Sequence, residues 1–405
     1  MKDSGPWRRL YSSVPAQTLV ALSFNIISLF AGGLLSLFSP LFAEAPWILA
    51  LFPPILTIRG NISGIFSGNI TTMLHIGSVQ PRIRGNTETY QRLVGAVFVL
   101  TFIDTLAIGA ISFVLNLLFG GASPGQLYIF ACVPAVSCIV AVALSIPLTS
   151  LIGIATYRRG LDPDIIVYPI LASVNDIVVT ASFVATASLV IRGGLYLYIL
   201  GSAFVAFMCI SVILAWRNWG HEFFRKTVWE GTALVILSSL FGSVNGIFLS
   251  GLTESLHRNP GLVVLYPALT NMLGNIGSIT GSVTTTSLAL GYVESFREEV
   301  QEGMKRMLKI EAVAALMHGV SGVVAYLMKS PYGASLGFLV GVALVSNLSS
   351  FFVVSVLALV VAFLAFNRGL NPDNVVIPAI TSTSDTVATL SMLAAVALLK
   401  FVNVS

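Results

Sequence analysis

Two aspartates stand deep inside apolar stretches, at matching places in the chain. Asp176 follows Val-Asn and Asp385 follows Thr-Ser, and each lies 12 residues (176 − 164 and 385 − 373) beyond the aspartate that opens its run. At 1.5 Å per helical residue that is about 18 Å along a helix, close to the middle of a bilayer. A carboxylate at such depth is costly and is usually kept for function. Pro169, Ser173, Asp176 and Thr180 have spacings of 4, 3 and 4, so they share one helix face. Pro378, Ser382, Asp385 and Thr389 repeat that face in kind. Two carboxylates turned towards one axis, with hydroxyls beside them, are hard ligands suited to Mg²⁺ or Ca²⁺. Mg²⁺ keeps most of its water and needs only one or two carboxylates, which fits so sparse a set. Hydrogen-bonded structural carboxylates are the plainer alternative. Cys132, Cys138 and Cys209 lie in apolar runs without metal-site spacing and read as packing.

A second source of polar groups lies in the stretch from Leu51 to Val79, which returns from Leu265 to Val293 at an offset of 214 with 11 of 29 positions identical. Gly60 and Asn61 match Gly274 and Asn275. A helix this rich in Gly, Ser, Thr and Asn suits a polar path inside a bundle rather than a lipid-facing surface. Asn61 and Asn275 are therefore candidate ligands beside the aspartates. Thr57, Gly60, Gly64, Asn271 and Gly274 are candidate lining residues, together with Ser173, Ser382, Thr180 and Thr389. Asp104 and His318 match at the same offset inside third helices and form a candidate gate or proton relay, with a structural pair as the alternative. Arg59 stands where the second stretch has Leu273; it reads as structural, snorkelling or pairing with a carboxylate.

The elements that must hold these residues are membrane helices. Of 405 residues, 56% are hydrophobic and only 9% charged, against about 25% in soluble proteins. Spans of about 20 apolar residues fall near 14–38, 46–77, 92–119, 126–157, 164–191, 195–216, 229–251, 260–291, 306–328, 335–366 and 373–399. The run from Val14 is too long for a signal-peptide core of 7–15 residues and reads as a retained first helix. The longest helices are expected to tilt, or to break at Pro53, Pro147 or Pro267. The expectation is an all-α polytopic membrane protein of 11 spans.

The repeat divides the chain. Arg159-Gly160-Leu161-Asp162-Pro163-Asp164 recurs as Arg368-Gly369-Leu370-Asn371-Pro372-Asp373 at an offset of 209. A cytoplasmic segment 1–13 precedes a five-helix repeat at 14–191. A linking helix and loop fill 192–228, and a second five-helix repeat fills 229–405. Five is odd, so one added span is what makes the repeats parallel, related by a pseudo-two-fold along the membrane normal. With the N-terminus inside, 16 of the 21 Lys and Arg fall in cytoplasmic segments and 4 outside, with Arg59 within a helix. That bias supports a cytoplasmic N-terminus and an outside C-terminus in a plasma membrane. The internal duplication supplies the two-fold of a homodimer, so a monomer is expected.

These residues carry a family resemblance. Pro53-x-Ile55-x-x-x-Arg59-Gly60-Asn61-Ile62-Ser63-Gly64 resembles the second helix of the MgtE-type magnesium channels, and more closely the duplicated solute carrier family 41 transporters. Leu161-Asp162-Pro163-Asp164, followed by Pro169 and Ser173-x-x-Asp176, resembles the family's fourth loop and fifth helix. The resemblance covers both halves. It implies a divalent-cation pathway, Mg²⁺ foremost, between the repeats and lined by second and fifth helices, with pore roles for Asp176, Asp385, Asn61 and Asn275. The bacterial channels carry cytosolic sensor domains ahead of their helices. Only about 13 residues precede the first span here, so their metal-sensing gate is not expected.

Beyond the transported ion no cofactor is expected, and the partners are the divalent cation and the lipid bilayer, with no nucleic acid. Channel and Na⁺- or H⁺-coupled exchanger both remain open. An intramembrane aspartyl enzyme is a remote alternative, because Val-Asn-Asp and Thr-Ser-Asp lack the Tyr-Asp and Gly-x-Gly-Asp contexts of such enzymes.

Overall fold

The computed structural model describes residues 14–402 apart from 43, 83–84, 160–162, 290–295, 330–334 and 371. The expected segment 1–13, residues 160–162 of the first loop motif, residue 371 of the second and the last residues 403–405 lie outside the described residues. The described residues form helices throughout, and 11 of them are long and apolar enough to cross a membrane. The first span is made of α1 (Val14–Ser23) and α2 (Asn25–Ser36). Then come α3 (Trp47–His75), α4 (Glu88–Phe119), α5 (Leu127–Arg158) and α6 (Pro163–Arg192). The linking helix is α7 (Leu195–Asn218). The second set is α8 (Glu222–Ser250), the short α9 (Thr253–Arg258), α10 (Pro260–Ala289), α11 (Phe296–Lys329), α12 (Leu336–Asn367) and α13 (Pro372–Phe401).

The polar stretches sit where their composition demands. Across their membrane-spanning windows α3 and α10 are wholly buried, so their Gly, Ser, Thr and Asn meet protein rather than lipid. The linking α7 is the opposite, with its apolar side chains mostly turned outwards, and it leans on α4, α5 and α6.

Packing around the centre follows the repeat. α3 packs against α6 and α13, and α10 packs against the same two helices. Second and fifth helices of both halves therefore close a four-membered ring in which α3 faces α10 and α6 faces α13. The first spans are exchanged between halves. α2 packs on α10, the second helix of the other half, and α8 packs on α3.

Proline explains the exchange. Of the two expectations for the long helices, tilting or breaking at Pro53, Pro147 or Pro267, the break does not occur: each helix is continuous through its proline. A proline still removes the donor to the carbonyl four residues earlier. Pro54 frees the Ala50 carbonyl and Pro267 frees that of Val263. Each freed carbonyl meets a glycine of the exchanged span. A Cβ on Gly246 would lie 2.1 Å from the Ala50 oxygen, and one on Gly32 2.6 Å from the Val263 oxygen and 2.3 Å from that of Val264. The two glycines stand 214 residues apart, as do Ala50 and Val264. Surrounding helices thus hold both faces of the prolines, and Thr57 Oγ1 adds a bond to the Pro53 carbonyl at 3.2 Å.

Candidate cation site

Asp176 and Asp385 lie on the facing helices α6 and α13, and both are buried, at 0% and 7% exposure. They are not equivalent. Arg59 of α3, itself 4% exposed, puts Nε 2.9 Å from Oδ1 of Asp176. The charge of Asp385 is also within range of this guanidinium, and the Tyr168 hydroxyl is within reach of it. Among the described residues Asp385 has no ion-pair partner. The pairing expected of Arg59 is therefore present, and it falls on a candidate ligand.

Asn61 and Asn275 are tied to the exchanged first spans. Asn61 Nδ2 donates to Asp104 Oδ2 and to Ser238 Oγ, both at 2.7 Å. Its Oδ1 accepts from Ser382, one turn before Asp385, at 3.3 Å. Asn275 Nδ2 donates to Asn25 Oδ1 at 2.7 Å, which also lies 3.0 Å from Ser173 Oγ. Asn271 Nδ2 meets Ser28 Oγ at 2.9 Å and Ser173 Oγ at 3.3 Å. In each half the pattern is one: a second-helix Asn, a polar residue of the other half's first span, and a fifth-helix Ser. Asn275 Oδ1 and Thr180 Oγ1 are buried without a hydrogen-bond partner. Thr389 Oγ1 donates to the Asp385 backbone carbonyl at 2.7 Å and meets the Tyr266 hydroxyl at 3.1 Å.

The glycines of α3 serve packing as much as lining. A Cβ on Gly64 would press on Ile377 at 2.9 Å and on Pro378. One on Gly60 would lie 3.3 Å from Thr381 Oγ1, while Gly274 faces the Thr381 methyl at 3.8 Å. Thr381 is thus held between the two second helices.

The ring is sealed above and below the aspartates. Tyr168, Ala172 and Ile377 form a buried cluster between α6 and α13. Two turns separate Tyr168 from Asp176. At the other end Phe52 and Tyr266 bring α3 and α10 together, with ring centroids 6.3 Å apart, and Phe183 of α6 packs on Phe52 at 6.0 Å. Both seals join residues that match in the repeat, 168 with 377 and 52 with 266. The sequence reading missed all four, since a lone aromatic in an apolar run gives no signal until the repeat offset is applied to it. It also missed Asn25, Ser28, Ser238 and Ser239. Of these only Asn25 was conspicuous, as an amide midway along the apolar first span.

Asp104 and His318 are not brought together. Asp104, 1% exposed, takes bonds from Asn61 Nδ2 and from Ser239 Oγ at 2.9 Å. His318 Nδ1 donates to the Ala314 carbonyl at 2.8 Å, and its Nε2 has no partner. α4 packs on α8 and α11 on α12, on opposite flanks of the ring. Among the described residues no three His, Cys, Asp or Glu converge on one point. The arrangement can therefore hold only a largely hydrated cation, or one completed by hydroxyls, amides and carbonyls.

Known proteins bear on this geometry. Solute carrier family 41 member 3 of Rattus norvegicus is 23% identical over 374 residues, covering 86% of this chain and 79% of the relative. The same member from Mus musculus is 24% identical over 385 residues, covering 89% and 77%. Member 2 of Homo sapiens is 26% identical over 259 residues, covering 62% and 44%. No solved structure matches. The MgtE family, described as a divalent cation transporter, matches residues 52–186 and 266–395. Those two matches cover most of the chain and hold α3, α6, α10 and α13, so the chain, an integral membrane protein that is no enzyme, belongs to the MgtE family of divalent cation transporters.

Proposed function

We propose that this chain carries a divalent cation, Mg²⁺ foremost, across the cell membrane along the axis of the four-helix ring, with Asp176 and Asp385 as the carboxylates of the central site. The observation that carries this reading is the placing of two buried aspartates on facing fifth helices. In the same reading the five-helix repeats are parallel and related by a pseudo-two-fold, and the monomer is the transporting unit. The N-terminus is cytoplasmic and the C-terminus outside. Uptake of Mg²⁺ into proteoliposomes tests the central claim, and protein-free rates would end it. Thiol labelling at Gln80→Cys and Val402→Cys, with Cys209 replaced, tests topology; labelling from one side would remove the 11-span orientation. Mixing active and inactive chains tests the monomer, which fails if an inactive partner abolishes flux.

A second reading within transport is a coupled exchanger. Asp104 favours it, as a buried carboxylate bonded only to neutral donors. Such a group suits a proton or a monovalent cation better than a permanent structural charge. Flux with Na⁺, H⁺ and voltage gradients varied independently separates this reading from a channel.

A further inference from the structure

Arg59 is the charge that the duplication does not double. Its counterpart is Leu273, and the guanidinium is buried in the ring against Asp176. The pair is close but poorly directed. Among the described residues Arg59 Nε and Nη1 and both carboxylate oxygens of Asp176 lack a well-aligned hydrogen bond. The Ser28 hydroxyl is within reach of Asp176 and the Tyr168 hydroxyl within reach of Arg59. A structural clamp between Arg and carboxylate is usually bidentate, with parallel bonds. Here the contact is chiefly one of charge, and it is not saturated on either side.

The count of charges at this level is then decisive. Asp176 and Asp385 bring two negative charges and Arg59 one positive, for a net −1. We propose that Arg59 is a tethered counter-cation, which holds Asp176 when no ion is present and yields it to an arriving divalent cation. The inference rests on the transport reading above and adds its selectivity. A divalent ion brings two charges against the one it displaces, so it wins the carboxylate. A monovalent ion exchanges one charge for one and gains nothing. The same competition keeps divalent binding weak enough for release, which any conducting or cycling site requires.

The test is flux into liposomes holding the full chain, with Mg²⁺ and Na⁺ as probes, read as half-saturating concentration and maximal rate. Arg59→Lys keeps the charge and is expected to keep half-saturation within about threefold of wild type. Arg59→Leu leaves a net −2. It is expected to lower half-saturating Mg²⁺ at least about tenfold, to slow the maximal rate and to admit Na⁺. Arg59→Gln removes the same charge but keeps a polar donor beside Asp176, leaves both carboxylates in place, and is expected to shift half-saturating Mg²⁺ and Na⁺ entry in the same direction. It decides the matter alone if Arg59→Leu does not fold. A folded Arg59→Gln whose half-saturating Mg²⁺ is unchanged or raised overturns the inference. So does unchanged half-saturation in folded Arg59→Leu, and so does the failure of both variants to fold, which marks the pair as a structural clamp. A wild-type chain that passes no divalent cation instead overturns the transport reading.

Discussion

The two halves share a backbone plan but not a charge plan. In both, a proline-bearing second helix presses its freed carbonyl on a glycine of the other half's first span, and a second-helix Asn bonds a polar residue of that span. The first half adds Arg59 beside its aspartate and Asp104 beside its Asn, where the second half has Leu273 and His318. Duplication thus kept what builds the ring and its two aspartates, while the charges around them, at 59/273 and 104/318, diverged. A symmetric pair of carboxylates would treat an ion alike from both sides. The observed pair offers one bound carboxylate and one without an ion-pair partner.

Breaking that contrast at the aspartates should give the largest effect. Asp385→Asn leaves the Arg59–Asp176 pair intact, and flux should fall on the order of a hundredfold, about 2.7 kcal/mol, with little change in melting. Asp176→Asn should cost flux and also stability, by about 3–5 kcal/mol, because it strands a buried guanidinium. Equal melting temperatures for the two variants would mean that the asymmetry is not energetic.

The next contrast is Asp104 against His318. Asp104→Asn keeps the shape but removes the charge that Asn61 and Ser239 hold, and transport should fall roughly tenfold. His318→Gln, off the ring and bonded only to a backbone carbonyl, should stay within about twofold. Transport assays that reverse this order would move the relevant titrating group to the second half.

The shared features should respond alike. Gly32→Ala and Gly246→Ala each drive a methyl into a backbone carbonyl and should cost about 1–3 kcal/mol by thermal melting. A large difference between them would show that the exchange is structural in one half only. The smallest pair is Ser173→Ala, which loses contacts with Asn25, Asn271 and the Pro169 carbonyl, and Ser382→Ala, which loses those with Asn61 and the Pro378 carbonyl, at about 1 kcal/mol for each hydrogen bond lost. A much larger loss of flux from either would place that hydroxyl on the ion rather than on its Asn.

Much of this was readable from the chain. Span count and position follow from apolar length, and the burial of α3 and α10 follows from their small and polar residues. Asp176 and Asp385 were legible because a carboxylate in an apolar run is conspicuous, and the offset of 209 paired them. The prolines left tilt and break open, and the break is absent at Pro53 and Pro267, where a glycine of the other half's first span packs against the neighbouring carbonyls.

The sequence by itself determined the class of the protein, its internal duplication and the matching places of its aspartates in the chain, because these depend on composition and on one-dimensional spacing. Only the tertiary structure decided which half supplies each neighbour. Asn25 meets Asn275 across 250 residues, and Phe52 meets Tyr266 across the ring. It alone seated Arg59 on Asp176 and separated Asp104 from His318. Periodicity fixes the face on which a residue lies, whereas the partner of that face is set by how helices from distant parts of the chain pack, and no local rule carries that information.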